Sequence, residues 1–175
     1  MNFVALSEKD VTQTDKYTSF NQKHLLISIT NPGCTVKIPK TQYCKELLQL
    51  QFEDVEDIAE TSFTMEMARQ ILDFVNNHCD GVSAIVVHCG AGISRSVAVA
   101  SALSKIINHT DDSIFSNGIP NMLVYTSLLD CYFMDISYDL RWSSIYFMRD
   151  RNMKSLLTPV VDRIREYKLR KRKEG

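Results

Sequence analysis

SAIVVHCGAGISRSVAVASALSKII, residues 83–107, divides into three kinds of sequence. SAIVV (83–87) is a short apolar run, of the length and composition of a strand buried on both faces. VAVASALSKII (97–107) is rich in alanine and apolar on much of its surface, which predicts a helix packed closely inside the protein. Between them lies HCGAGISRS, a polar, glycine-containing loop.

Working outward, the same alternation of strand and helix continues. HLLISIT (24–30) is apolar and β-branched and is followed at once by NPG, which predicts a buried strand ended by a turn. ELLQLQF (46–52) predicts a second strand, and the acidic run Glu53, Asp54, Glu56, Asp57 after it predicts a loop. From Thr64, a candidate N-cap, the period becomes helical: Met65, Ala68, Ile71, Leu72 and Val75 fall on one stripe, with the helix ending near Asn76–Gly81. Strand, helix, strand, tight loop, helix is the order of an α/β layered fold, with a central, mostly parallel sheet flanked by helices. Ligands of such sheets bind at the carboxyl ends of the strands, which is where HCGAGISRS falls.

Further along, TDDSIFSNGIPN (110–121) carries loop signals, and Met122–Met134 predicts a helix with Leu123, Leu128 and Leu129 in its apolar set. Residues 135–150 mix aromatic and charged side chains without a clear period, 155–169 predict a closing helix, and the tail LRKRKEG is basic. The whole is read as a single domain, 1–175, with its signature-bearing core over about 24–130 and a helical extension over about 135–170.

The totals narrow the chemistry. A net charge of -1 gives no general attraction to nucleic acid or to an anionic membrane, so neither is an expected partner, and anion binding has to come from a local site. No run approaches the length of a membrane span, and the opening residues lack the layout of a secretion signal. The five cysteines, Cys34, Cys44, Cys79, Cys89 and Cys131, are odd in number and form no CxxC pair. That argues against a disulfide framework or a structural zinc site and for a reducing, cytoplasmic setting.

Five residues, Gly90, Ala91, Gly92, Ile93 and Ser94, separate Cys89 from Arg95, and only Ile93 is large. Such a loop can curl until successive N–H groups converge on one centre, an anion-binding nest. The following helix adds the positive end of its dipole, and the planar fork of Arg95 at its start matches two oxygens of a phosphate. The same groups favour a thiolate at Cys89 and place a bound phosphate above it for in-line attack.

HCGAGISRS resembles the H-C-x5-R-S signature of the protein tyrosine phosphatase superfamily, most closely its small dual-specificity-type members, and the resemblance covers residues 24–130. It implies a metal-independent phosphatase that needs no cofactor, works through a cysteinyl-phosphate and acts on phosphorylated protein. It implies Cys89 as nucleophile, Arg95 as phosphate clamp, the loop 90–95 as the phosphate cradle, and Ser96 as the hydrogen-bond donor to the leaving sulfur. His88 either orients the cysteine backbone or is a strand-end histidine without a chemical role. A general-acid aspartate is implied on a separate loop: Asp54, directly after its strand, is preferred, and Asp57 is the other candidate, with the remaining acids read as solvated charges. Pro120–Asn121 resembles an element in which the asparagine supports the acid or phosphate loop, the alternative for Asn121 being an ordinary helix cap.

The loop interior carries no lysine, unlike superfamily members acting on polyphosphorylated inositol lipids, whose loops resemble HCKAGKGR. Phosphotyrosine, with phosphoserine and phosphothreonine as further substrates, is therefore preferred over a phosphoinositide or an RNA 5'-phosphate. The rival readings are a phosphate-binding pseudophosphatase with little turnover, and another thiolate enzyme such as a sulfurtransferase or arsenate reductase.

Overall fold

The computed structural model of the protein describes residues 1–143. The helix expected over 155–169 and the basic tail lie outside the described residues.

Four strands form one parallel sheet: β1 (Asn2–Ser7), β2 (His24–Thr30), β3 (Cys44–Gln51) and β4 (Ala84–Cys89), in the spatial order β1-β4-β2-β3. The two strands buried at every position, HLLISIT and AIVVHC, are the central pair. A strand covered on both faces tolerates no polar alternation, which is why both read as near-continuous apolar runs. β3 lies at one edge, and only Leu50 is fully buried along it.

β1, at the other edge, was not legible as a strand beforehand. It is short, with only Phe3 and Leu6 fully buried. The available signal is the S-x-x-D that follows. Ser7 Oγ accepts from Asp10 N (3.1 Å) while Ser7 N donates to the Asp10 carboxylate (3.0 Å), a capping box that opens α1 (Glu8–Thr12).

α2 (Met65–His78) starts at Thr64, whose Oγ1 accepts from Met67 N at 3.2 Å. Ala68, Ile71 and Val75 are its buried stripe; Leu72 is half-buried and Met65 exposed, so the apolar face is narrower than the sequence spacing allows. α3 (Arg95–Asn108) buries every residue from Arg95 to Ser104, as its small side chains predict, and packs on β4 and β1. His109, in the left-handed conformation at φ 62, ends it. Within the expected loop 110–121 a single helical turn forms, α4 (Asp112–Phe115). The last helix, α5, begins where expected and runs further, Met122–Ser143.

On one face of the sheet Leu26 and Val86 pack with Leu6, Val11 and Tyr17. The sheet, α1–α4 and the start of α5 make up the compact unit Met1–Tyr132; residues from Phe133 onward belong to a second unit. No helix among the described residues is long and apolar enough to cross a membrane.

Candidate active site at the carboxyl end of the sheet

Cys89 is the last residue of β4 and Arg95 the first of α3, so the loop 90–94 turns the chain from a central strand into a buried helix within five residues. Gly92 makes that turn possible. It sits at φ +77, and a side-chain carbon there would stand 2.5 Å from Ser7 N and 2.7 Å from Leu6 C. Only glycine fits both the conformation and the space. On the same side Glu8 N donates to the Gly90 carbonyl at 3.2 Å, so the junction of β1 and α1 forms a wall of the loop.

The cysteine is 1% exposed, at the floor of this turn. Its Sγ accepts a hydrogen bond from Gly92 N (3.3 Å) and lies 3.2 Å from Ser96 Oγ. Ser94 occupies the N-cap position of α3 without capping it: its hydroxyl donates instead to Asp54 Oδ1 at 2.7 Å. The first N–H groups of a long buried helix are thus left with no side-chain cap, beside the cysteine, the arrangement that receives an anion.

Arg95 is buried and held from one side. Its Nη1 donates to the Phe52 carbonyl (2.6 Å) and to Asn31 Oδ1 (2.8 Å), and its Cζ lies 5.9 Å from the centroid of the Phe52 ring. Asn31 follows β2 and Phe52 follows β3, so the carboxyl ends of two strands pin the guanidinium. Nε, also buried, has no hydrogen-bond partner among the described residues, and Nη2 lies 3.8 Å from where a side-chain carbon on Gly90 would stand. A fixed guanidinium with a buried N–H that makes no hydrogen bond, next to a small-residue loop, has a donor left for an anion. Asn31 and the Phe52 carbonyl had not been singled out in the sequence; the NPG turn after β2 is the only local mark of the former.

Of the two candidate acids, Asp54 is the one that lies beside Arg95 and the loop. Its Oδ2 lies 3.9 Å from Arg95 Nε, and its Oδ1 accepts from Ser94 Oγ and from Asn121 Nδ2 (2.9 Å). Asp57 is exposed and makes none of these contacts. Asn121 fills both roles that sequence left as alternatives: Nδ2 donates to Asp54 and to the Val55 carbonyl (3.1 Å), while Oδ1 caps α5 by accepting from Val124 N (3.1 Å). Two neighbouring acids are not the merely solvated charges expected of them. Glu56 accepts from Met122 N at 3.1 Å, a second tie between the acid loop and the start of α5, and Glu53 accepts from Thr61 Oγ1 at 2.8 Å.

His88 is fully buried beside Cys89, and neither ring nitrogen has a hydrogen-bond partner among the described residues. Burial pushes its pKa down to about 4. None of the five cysteines is in a disulfide. Among the described residues no group of three or more His, Cys, Asp or Glu side chains is placed to hold a metal ion.

No protein-family model matches the chain, and no curated protein matches it in sequence. Solved structures do match in shape. Human DUSP28 is 13% identical with a TM-score of 0.57, the match covering 78% of this chain and 94% of that one. The human tyrosine phosphatase-like serine/threonine/tyrosine-interacting protein is 17% identical with a TM-score of 0.56, covering 77% and 93%. PTPMT1, solved in complex with PI(5)P, is 14% identical with a TM-score of 0.51, covering 79% and 95%. The chain has the α/β fold of the dual-specificity phosphatases.

Proposed function

We propose that this protein is a phosphatase that hydrolyses phosphomonoesters on proteins through a cysteinyl-phosphate intermediate, without a metal. The observation that carries this is Arg95, held by Phe52 and Asn31 beside the loop whose floor is Cys89, with a buried Nε that makes no hydrogen bond and meets only Asp54 Oδ2, at ion-pair distance (3.9 Å). The substrate phosphate supplies the missing acceptor, and the uncapped N–H groups of α3 take its other oxygens.

In the first step the Cys89 thiolate attacks phosphorus in line. The S–P bond forms as the P–O bond to the substrate breaks, and the departing oxygen takes a proton from Asp54. Arg95 and the loop N–H groups stabilise the equatorial oxygens throughout. In the second step Asp54 removes a proton from water, the water oxygen bonds to phosphorus, and the S–P bond breaks to release phosphate. Ser96, 3.2 Å from the sulfur, donates its hydroxyl to the departing thiolate. The hydrogen bonds of Asn121 and Ser94 fix the Asp54 carboxyl, which has to serve as acid and then as base in one position.

An uncharged loop interior, Gly90 to Ser94, favours a single phosphate on a protein over a polyanionic lipid headgroup. The test is turnover of p-nitrophenyl phosphate in EDTA by the wild type and by Cys89→Ser. Activity in the first and none in the second supports the reading. Phosphopeptide binding without phosphate release by the wild type replaces it with a binding module.

A further inference from the structure

Three isoleucines stand out as the most exposed large apolar side chains among the described residues: Ile58 at 92%, Ile119 at 65% and Ile93 at 50%. None is scattered. Ile93 lies in the phosphate loop itself. Ile119 is joined to it, its backbone N–H donating to the Ile93 carbonyl at 2.8 Å. That approach depends on Gly118, where a side-chain carbon would stand 2.5 Å from the Ile93 carbonyl oxygen and 3.0 Å from Val97. Two residues further, Asn121 bonds Asp54 and Val55, so the 118–121 segment bridges the phosphate loop and the acid loop that carries Ile58. Exposed apolar side chains on one set of adjoining loops around a polar centre mark a contact surface.

The charges of those loops are one-sided. Residues 53–62 hold Glu53, Asp54, Glu56, Asp57 and Glu60 and no lysine or arginine; 90–94 and 115–121 carry no charge. On these loops every charge other than the buried Arg95 that follows them is negative, and the β1–α1 wall adds Glu8 and Lys9, which offset each other. Such a field draws cationic groups and repels an anionic headgroup or bilayer.

Resting on the phosphatase reading above, we infer that Ile58, Ile93 and Ile119, with the carboxylates of the acid loop around them, select phosphorylated protein segments whose phosphoresidue is flanked by apolar side chains with lysine or arginine beyond. The phosphate goes to Cys89 and Arg95, the flanking apolar side chains cover the isoleucines, and the cations face Asp57 and Glu60.

The experiment compares kcat/KM on two phosphotyrosine peptides of equal length, one with Leu/Ile next to the phosphoresidue and Lys/Arg outside, the other with Ser and Asp/Glu in those places. A preference of about tenfold or more for the first is expected, carried by KM and weakened by salt. In Ile58→Ser/Ile119→Ser that preference falls toward unity while p-nitrophenyl phosphate turnover stays as in the wild type. Equal kcat/KM for both peptides, or an unchanged preference in the double variant, overturns the inference. So does faster turnover of a phosphatidylinositol monophosphate in mixed micelles than of the better peptide. Should the double variant lose p-nitrophenyl phosphate turnover as well, Asp57→Lys/Glu60→Lys carries the test, and an unchanged preference for basic flanks there overturns the inference. A wild type inert toward p-nitrophenyl phosphate refutes the phosphatase reading itself, a different result from an active enzyme without preference.

Discussion

Cys89 and Cys44 stand at opposite ends of the same parallel sheet, one closing β4 and the other opening β3, and their surroundings differ. Around Cys89 the polar groups are donors: Gly92 N–H points at the sulfur, Ser96 lies alongside, and the guanidinium of Arg95 heads the next helix. Around Cys44 they are mixed, the Tyr17 hydroxyl and the Glu46 carbonyl among apolar walls, with no turn of N–H groups leading into a helix. Its thiol donates toward the Glu46 carbonyl at 3.5 Å, in a cavity of about 390 Å³ shared with Tyr17, Leu26 and Ile38. Burial pushes the Cys44 thiol up despite a hydrogen bond from Tyr17, and burial raises the Tyr17 hydroxyl and lowers His24 in the same cluster. Every one of those groups is driven toward its neutral form. A cysteine's chemistry is thus set by which end of the strand holds it, since converging backbone N–H groups occur only at the end where a helix begins.

The sharpest way to break this contrast is to treat the two thiols alike. Cys89→Ser is expected to lower p-nitrophenyl phosphate turnover by about 10^4-fold or more, and Cys44→Ser by less than about twofold. Comparable losses would erase the distinction. Next in size is Arg95→Lys, expected to cost about 10^3-fold in kcat, because an ammonium cannot both keep the anchoring bonds of Nη1 and offer a second N–H to a phosphate. Steady-state rates near the wild type would remove the clamp from the mechanism. Asp54→Asn is expected to slow aryl phosphates with poor leaving groups by about 10^2-fold and those with good ones far less, with Asp57→Asn near the wild type. A leaving-group series reads this directly, and the opposite pattern would transfer the acid to Asp57.

The smallest effect concerns stability. His88 keeps a folded-state pKa of about 4 against an ordinary 6.5, so folding favours its neutral form. The stabilisation is fully present above the ordinary value and is lost as pH falls from there toward 4. Between pH 7 and pH 5 the loss amounts to about 2 kcal/mol from this residue. Urea unfolding at the two pH values measures it, and His88→Leu should flatten the difference; an equally steep decline in that variant would assign the acid sensitivity elsewhere.

What could be read in advance follows from how far each signal travels along the chain. The β4–loop–α3 unit, β2, β3 and α2 rest on local patterns: unbroken apolar runs, a helical stripe, a threonine cap. The position of Asp54 beside Arg95 was legible because the residue follows its strand directly. Asn121 gave two readings because a cap is a local feature and a bond to a residue 67 positions away is not, and the side chain has enough atoms for both. Glu56, which meets Met122 N across 66 positions, passed for a solvated charge for the same reason. β1 was missed since six residues with two buried side chains leave little pattern to find.

The contact between Gly92 and the Ser7 backbone also fixes how much of the polypeptide a working site requires. A fragment trimmed to residues 24–130 would retain every side chain of the proposed reaction, yet it would remove the strand that braces the thiol's turn and the Glu8 amide that tethers Gly90. The minimal functional fragment is therefore set by a buttress at the amino terminus, which takes no part in the reaction.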